Sequence, residues 1–345
     1  MKIISFNSYK GGACRTTTCY NVLPYLVEKL GATSKNPILV FDVDLDSMGL
    51  TNLFINGKSD KFTSESGFAA QDLFVKDRTA SSGEIFFEID RNGFQKGDGS
   101  VRDNGWFFDK SFMKVGKDIG FPDDPGCVLF CGADADASTI NKVGENPPLL
   151  KILRRLRQMN ENAPRAVVFD CAAGIQLTTR AIIKKADVFV MCMRPTLQFR
   201  IGTADYLLDK IPAEIKKADD NRNREIILVP TAVASVKVAE GDKLNDEAEI
   251  GLNSLQLGVK RSIKRTIIGP ANEKTEAFLR YNLNTDMIIG DNIGDDIGLP
   301  EIERFKWEEC LLYSIKEPWT KAEKELQARY ELLAGQIVNA KENKE

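Results

Sequence analysis

The most informative segment for the fold of this chain is Ser8-Tyr9-Lys10-Gly11-Gly12-Ala13-Cys14-Arg15-Thr16-Thr17-Thr18. It follows a short apolar run at residues 3–6, a predicted strand, and precedes a helical pattern over residues 16–30. A glycine-rich turn between a strand and a helix presents backbone N–H groups and a helix N-terminus to an anion. Gly11 and Gly12 allow the backbone to turn tightly, so the stretch predicts a phosphate-binding loop.

Two residues of this loop depart from the common P-loop pattern, G-x-x-x-x-G-K-[ST]. Cys14 stands in place of the second glycine and adds a side chain where the backbone must pass close to a phosphate. Arg15 stands in place of the lysine; its guanidinium is permanently charged, planar and bidentate, so it does not simply replace an ammonium. We expect both departures to weaken hydrolysis more than binding. Thr16 is placed to bind Mg²⁺, and Thr17 can reach an α-phosphate oxygen.

Short apolar runs predict the strands of one sheet, at residues 3–6, 38–41, 128–130, 166–169, 188–191, 226–229 and 287–289. They are apolar on both faces, as in parallel strands covered by helices. Helical patterns lie between them, for example over residues 16–30, 148–160, 175–185 and 200–217. The alternation predicts an α/β fold with a doubly wound, mostly parallel sheet flanked by helices. Ligands of such sheets bind at the carboxyl ends of the strands.

Lys10, directly before Gly11-Gly12, matches the pattern K-G-G-x-x-[KR]-[ST] of deviant Walker A proteins. The chain resembles the ParA/MinD family of P-loop ATPases, and most of all the variants with arginine in place of the P-loop lysine. Residues 40–51 are similar to the family's second-strand motif, residues 167–174 to its Walker B segment, and residues 186–195 to the strand that follows. The resemblance covers roughly residues 1–54, 127–235 and 285–315, with an insertion at about 55–126 after the second strand.

The resemblance implies a role for each charged residue of the site. Lys10 would reach across a nucleotide-sandwich dimer to the phosphates bound by the other subunit. Arg15 would contact the β/γ-phosphates in its own site. Thr16 would ligate Mg²⁺, and Asp42 and Asp170 would hold the ion through water. The simpler alternative for these aspartates is that they are polar residues at strand ends.

The resemblance also assigns the remaining site residues. Asp44 would orient the attacking water, which makes it a candidate catalytic residue together with Lys10 and Arg15. Pro230-Thr231 ends the strand whose loop would frame the adenine, although the sequence leaves adenine and guanine both open. The nucleotide-binding loop as a whole would comprise Lys10, Gly11, Gly12, Ala13, Cys14, Arg15, Thr16 and Thr17.

The function that these expectations imply is an ATP-dependent dimerisation switch that binds Mg²⁺ and ATP and hydrolyses ATP slowly, stimulated by a partner. Such a protein would control an unidentified partner or cargo in positioning, partitioning or regulation. The main alternative is an ATP-binding sensor or adaptor with little or no hydrolysis. A kinase that uses the insertion as acceptor site fits less well, because Tyr313 and Tyr330 are isolated and form no terminal tyrosine cluster.

The composition excludes several classes of catalytic and metal site. The chain has 345 residues, 43% hydrophobic and 28% charged, a net charge of −3 and no histidine. Histidine triads, histidine-ligated metals and histidine general bases are therefore excluded. The seven cysteines contain no C-x-x-C pair, and no signal peptide or membrane span is evident. We expect a cytoplasmic protein with reduced thiols and no membrane span.

The chain is predicted to form a single domain over residues 1–316, followed by a C-terminal amphipathic helix over residues 317–345 that docks on the body or on a partner. Two basic runs could contact DNA non-specifically, although a charged helix face is the simpler explanation and the net charge does not favour DNA. The runs are Lys151, Arg154, Arg155 and Arg157, then Lys260, Arg261, Lys264 and Arg265.

Overall fold

Eight strands form one sheet in the part of the chain that the computed structural model describes. The described residues are 1–55, 112–115, 121, 126–133, 149–159, 161, 163–218, 224–233, 256–273, 281–287, 298–302, 311–314 and 320–340. The strands are β1 (Lys2–Ser8), β2 (Ile38–Val43), β3 (Met113–Val115), β4 (Val128–Cys131), β5 (Ala166–Cys171), β6 (Val188–Met193), β7 (Arg224–Pro230) and β8 (Tyr281–Asn284). Their order across the sheet is β3-β4-β2-β5-β1-β6-β7-β8.

All neighbouring strands run parallel except β3, which pairs antiparallel with β4 at one edge. The central strands β1, β2, β5 and β6 are buried at every position, as continuous apolar runs require when helices cover both faces. In the register of β2 with β5, Asp42 lies opposite Asp170. The register therefore brings the carboxyl ends of these strands together beside the end of β1.

Helices cover both faces of the sheet. They are α1 (Arg15–Leu30), α2 (Gly49–Ile55), α3 (Leu149–Arg157), α4 (Leu177–Ile183), α5 (Leu197–Asp205), α6 (Ile211–Lys216), α7 (Gly269–Glu273) and α8 (Lys321–Asn339). A π-helical segment, Tyr206–Lys210, joins α5 to α6, and a second, Lys264–Ile268, follows helical residues 256–263. One apolar core lies between the sheet and α1, α2 and α8, and the other lies beneath α3, α4 and α6. The doubly wound, mostly parallel α/β fold is confirmed.

The strand predicted at residues 287–289 is wrong at its first residue, because Met287 lies in a turn and the edge strand β8 comes earlier. Met287 is buried in the core, and its carbonyl accepts a hydrogen bond from the N–H of Gly298 at 2.6 Å. An apolar run therefore supplies a core contact here, whereas the edge strand has the alternating sequence Tyr-Asn-Leu-Asn. Residues 288 and 289 lie outside the described residues.

The C-terminal helix α8 packs along α1. A capping box starts it, in which the Thr320 hydroxyl accepts from the Glu323 N–H and the Glu323 carboxylate accepts from the Thr320 N–H. At its other end, the buried Lys2 ammonium donates to the carbonyls of Ile337, Val338 and Ala340 at 2.6–3.0 Å. These contacts tie the last helix to the first strand.

Most of the insertion at 55–126 lies outside the described residues. Its described aromatic side chains anchor it to the body: Phe112 packs edge-on against Phe41 at 5.4 Å, and Phe121 packs against Tyr20 and Phe54. None of the helices that the structure describes is both long and apolar enough to cross a lipid bilayer.

Candidate functional site

The loop between β1 and α1 contains two residues in the left-handed conformation. Gly12 has φ +78° and Cys14 has φ +51°, and both lie in the left-handed region that favours glycine. Cys14 caps α1, and its carbonyl accepts from the Thr18 N–H at 2.9 Å. The Thr231 hydroxyl, just after β7, donates to the Ala13 carbonyl at 2.8 Å and holds the loop on the sheet. The departure at Cys14 therefore places a side chain in a glycine conformation.

Arg15 lies between two carboxylates. Its Nε donates to Oδ1 of Asp170 at 2.7 Å, and its Nη2 donates to Oδ2 of Asp44 at 2.5 Å. The side chain is only 7% exposed. The Thr16 hydroxyl donates to the other oxygen of Asp170 at 2.8 Å. The first turn of α1 is thereby bonded to the ends of β2 and β5.

Asp42 is fully buried beneath this contact. Its Oδ2 accepts from both the N–H and the hydroxyl of Thr51 at 2.7 Å, and its Oδ1 accepts from the N–H of Asp44 at 3.1 Å. Burial, followed by the charge of Asp170, raises the pKa of Asp42 to about 7. Asp42 thus fixes the turn that presents Asp44.

The electrostatic environment of the site is set by burial and by Arg15. Burial raises the pKa of Asp170, and the charge of Arg15 opposes this shift. Desolvation is the largest effect on Arg15 and lowers its pKa, but Asp170 and Asp44 together raise it above the ordinary value. Burial raises the pKa of the Cys171 and Cys192 thiols, so both stay protonated and unreactive.

The donor set around Thr16 fits magnesium. Mg²⁺ prefers hard oxygen ligands and is commonly held by one or two carboxylates together with substrate phosphates and water. The Thr16 hydroxyl and the carboxylate of Asp170 are in contact, and Asp44 lies on the other side of Arg15. Among the described residues, no group of three or more Cys, Asp or Glu side chains forms a metal site by itself.

Lys10 contacts the start of α5. Its ammonium donates to Oε1 of Gln198 at 2.8 Å and lies over the ring of Phe199, 5.2 Å from the centroid. The preceding Tyr9 ring packs on Gly202 of α5, where a Cβ would overlap the ring. The start of α5 therefore supports both the phosphate loop and Lys10.

A cavity of about 120 Å³ adjoins the phosphate loop on the side of β7. Thr231 and Leu299 both line it, and the Leu299 N–H donates to the Pro230 carbonyl at 2.8 Å. Gly298 makes this approach possible, because a Cβ there would overlap the Pro230 carbonyl. The lining residues are Cys14, Thr17, Thr18, Arg194, Thr231, Ala232, Leu299, Pro300, Glu301, Ile302, Leu326 and Tyr330.

The structure brings Arg15, Thr16, Asp42, Asp44 and Asp170 together, and it places Lys10 against Gln198 and Phe199. Sequence reasoning missed several residues that position this set. Thr51 is the last residue of the second-strand motif at residues 40–51, but the sequence did not indicate its hydrogen bond to Asp42. Gln198 contacts Lys10, and Leu326 and Tyr330 of α8 line the cavity. These contacts join residues far apart in the chain, so no local pattern could indicate them.

The two basic runs lie on helical segments. In the first, Arg154 is exposed, and Arg157 lies 3.8 Å from Asp187. The side chains of Lys151 and Arg155 lie outside the described residues. In the second, Arg261, Lys264 and Arg265 are exposed and Lys260 is half-buried.

Comparisons with known proteins connect this geometry to solved structures. No protein-family profile matches the sequence, and no curated protein does either. Apo McdA from Cyanothece is 14% identical, covers 98% of this chain and 100% of its own, and has a TM-score of 0.53. A variant of McdA from Cyanothece in complex with ATP is 13% identical, with 100% and 99% covered and a TM-score of 0.52.

A plasmid partition protein from Borrelia burgdorferi B31, bound to AMPPNP, is 13% identical, with 97% and 98% covered and a TM-score of 0.50. At such identities the likeness shows the fold alone. The chain shares the ParA/MinD-like P-loop fold of these proteins.

Proposed function

We propose that this chain is a ParA/MinD-like ATPase that works as an ATP-dependent dimerisation switch. It binds Mg²⁺ and ATP, hydrolyses ATP slowly, and controls a partner or cargo through its change of assembly state. The observation that carries the proposal is the meeting of Arg15 and Thr16, at the start of α1, with Asp44 and Asp170 at the ends of β2 and β5. The shared fold with an ATP-bound structure supports it.

Each residue of the site would have a separate role in phosphoryl transfer. The phosphates would lie on the N–H groups of the loop from Gly11 to Arg15, where the helix N-terminus favours negative charge. Thr16 would ligate Mg²⁺, and Asp42 and Asp170 would hold the ion through water; Mg²⁺ neutralises charge on the phosphates when it is bound. Asp42 fixes the Asp44 turn, and Asp44 orients the attacking water. No histidine is needed, because this reaction depends on positioning and charge stabilisation.

The cavity beside Thr231 is the candidate site for the base. It adjoins Thr17 on the phosphate loop and continues to the segment that pairs with the end of β7. A nucleotide whose phosphates lie on the loop would place its nucleoside in the cavity beside Thr231.

Lys10 would couple nucleotide binding to dimerisation. Its ammonium is held at the molecular surface by Gln198, and it can leave this contact without breaking a buried bond. In a face-to-face dimer it would add a second cation to the phosphates of the opposite subunit. Nucleotide then favours the dimer, because only that state gains this interaction.

Sedimentation velocity with ATP, with ADP and without nucleotide tests the proposal. We expect a dimer with ATP and Mg²⁺, and a monomer with ADP or without nucleotide. A mass that does not depend on nucleotide would contradict the switch.

An ATP sensor with little or no hydrolysis is the second candidate, and a specific contact favours it. The Nη2 of Arg15 is bonded to Asp44, the residue that would orient water. Phosphate release from the wild type and from Asp44→Ala separates the two candidates. Equal background rates favour the sensor, and a rate that falls in the variant favours the ATPase.

The partner is part of the proposal and is unidentified. Non-specific DNA is a weaker candidate than a protein cargo. Only one basic run presents several exposed cations among the described residues, at Arg261, Lys264 and Arg265, and the net charge of the chain is −3.

A further inference from the structure

We propose that Arg15 is a tethered counter-ion that competes with the divalent cation for the carboxylates of the site, and that it releases them in exchange for phosphates. This inference rests on the proposed function, since it concerns the same site. It assigns to Arg15 a positioning role in loading that precedes its contact with the phosphates.

The geometry of the guanidinium carries the inference. Two different nitrogens of the group are used, with Nε on Asp170 at 2.7 Å and Nη2 on Asp44 at 2.5 Å. The same Nη2 lies 3.3 Å from the Thr16 hydroxyl. The arginine therefore contacts Thr16 and Asp170, which fit magnesium, as well as Asp44. The carboxylate oxygens that face Arg15 cannot bind the guanidinium and a metal ion at once.

Repulsion among the buried carboxylates explains why the site needs the positive charge of Arg15. Asp42 and Asp170 are fully buried, and Asp44 is 9% exposed. Carboxylates crowded in a site of low polarity repel one another, and removing the partner of a buried charge is strongly destabilising. Arg15 supplies that partner charge in the absence of nucleotide. It can leave once Mg²⁺ and phosphates arrive together, because each carboxylate and the guanidinium then regain an opposite charge.

The identity of residue 15 matters for this exchange. A lysine at this position would offer one compact ammonium, whereas the planar guanidinium donates to two separate carboxylates through fixed N–H groups. The substitution of arginine for the usual lysine therefore strengthens the hold on Asp44 and Asp170. It makes divalent-cation binding without phosphates weaker than a lysine would.

Manganese titration of the nucleotide-free protein, followed by electron paramagnetic resonance, tests the competition directly. We expect Arg15→Gln to bind Mn²⁺ at least about ten-fold more tightly than the wild type, a gain of about 1.4 kcal/mol. Arg15→Lys should lie between them. Arg154→Gln is the matched control, because it removes an exposed arginine of α3 that is not part of the site; its Mn²⁺ affinity should stay within about two-fold of the wild type.

Thermal unfolding gives a second readout. Arg15→Gln should melt below the wild type, and added Mg²⁺ should restore more of its melting temperature than it adds to the wild type. Mn²⁺ affinities of Arg15→Gln and Arg15→Lys that do not exceed the wild-type value would overturn the proposal. If Arg15→Gln does not fold, Arg15→Lys alone decides. No nucleotide is present, so this result is independent of whether the chain binds ATP or dimerises.

Discussion

The ammonium of Lys10 donates a hydrogen bond to the side-chain carbonyl of Gln198 at 2.8 Å. This contact joins the phosphate loop to the start of α5. In the proposed dimer the same ammonium serves the opposite subunit. Lys10 should therefore affect assembly more than it affects nucleotide binding.

Lys10→Gln tests this separation, because it removes the charge but keeps much of the side-chain length. We expect ATP affinity within about three-fold of the wild type and an ATP-dependent dimer weakened by at least about ten-fold. Sedimentation with ATP and Mg²⁺ measures the second quantity. Lys29→Gln, at the far end of α1, is the control and should dimerise normally. Equal dimerisation by Lys10→Gln and the wild type would remove Lys10 from the interface.

Cys14 should carry conformational strain that glycine relieves. Its φ of +51° is left-handed, a region that costs a residue with a Cβ about 1–2 kcal/mol. Part of the gain is offset, since glycine adds entropy to the unfolded chain. We expect Cys14→Gly to raise the free energy of unfolding by up to about 1 kcal/mol.

Chemical denaturation of Cys14→Gly and Cys14→Ala measures this effect. Alanine removes the thiol but keeps the Cβ and hence the strain, so it should give no such gain. A glycine variant that is no more stable than the alanine variant would mean that the loop tolerates the left-handed residue without cost.

The stability of the nucleotide-free protein should fall as the pH rises from 5.5 to 7.0. The folded-state pKa of Asp42, about 7, lies above its unfolded value of 3.8. The folded protein therefore binds this proton more tightly, and the stabilisation is complete below pH 3.8 and lost as the pH rises through 7. The chain has no histidine to titrate in this window. The loss should reach at most about 2 kcal/mol.

Denaturation of the wild type and of Asp42→Asn across this pH range checks the assignment. The variant should show a smaller slope, and the residual slope reports Asp170, whose pKa burial also raises. Asp205→Asn, an exposed carboxylate on α5, should keep the wild-type slope. A wild-type stability that is constant or rises between pH 5.5 and 7.0 would show that Asp42 is ionised throughout.

Lys2 should be an unusually important residue for stability. Its buried ammonium donates to three carbonyls at the end of α8, those of Ile337, Val338 and Ala340. Lys2→Met would leave these carbonyls without that donor, at a cost of about 2–3 kcal/mol. Lys29→Met is the control, because its pair with Glu331 is exposed at 3.3 Å and should contribute less than about 1 kcal/mol. Equal effects of the two substitutions on the denaturation midpoint would contradict this role.

Much of the fold could be predicted from local sequence, since each central strand is buried on both faces and reads as an apolar run. The edge strand at Tyr281–Asn284 could not, because an edge strand need not be apolar. The predicted strand at Met287 failed for the related reason that an apolar residue can fill the core from a turn. A pattern of apolar residues therefore indicates which residues are buried, but it does not indicate which segments pair as strands.

The candidate site was predictable as a set of residues but not as a set of contacts. The loop around Gly12 and the strand-end aspartates Asp42 and Asp170 carry recognisable patterns. The bond from Arg15 to both Asp44 and Asp170 depends on the sheet order, which places β5 between β1 and β2. The hydrogen bond from Lys10 to Gln198 likewise requires that α5 lies beside the phosphate loop. Such relationships arise from packing of distant segments and have no local signature.

Isothermal titration calorimetry with AMPPNP and Mg²⁺ measures nucleotide binding at this loop. We expect saturable binding of one nucleotide per chain to the wild type, and a strongly reduced affinity for Thr16→Ala, which loses the hydroxyl hydrogen-bonded to Asp170 at 2.8 Å. Arg261→Ala, in the exposed basic run, should bind as the wild type does. Absence of heat with the folded wild type, or equal binding by Thr16→Ala, would contradict a magnesium-nucleotide site at this loop.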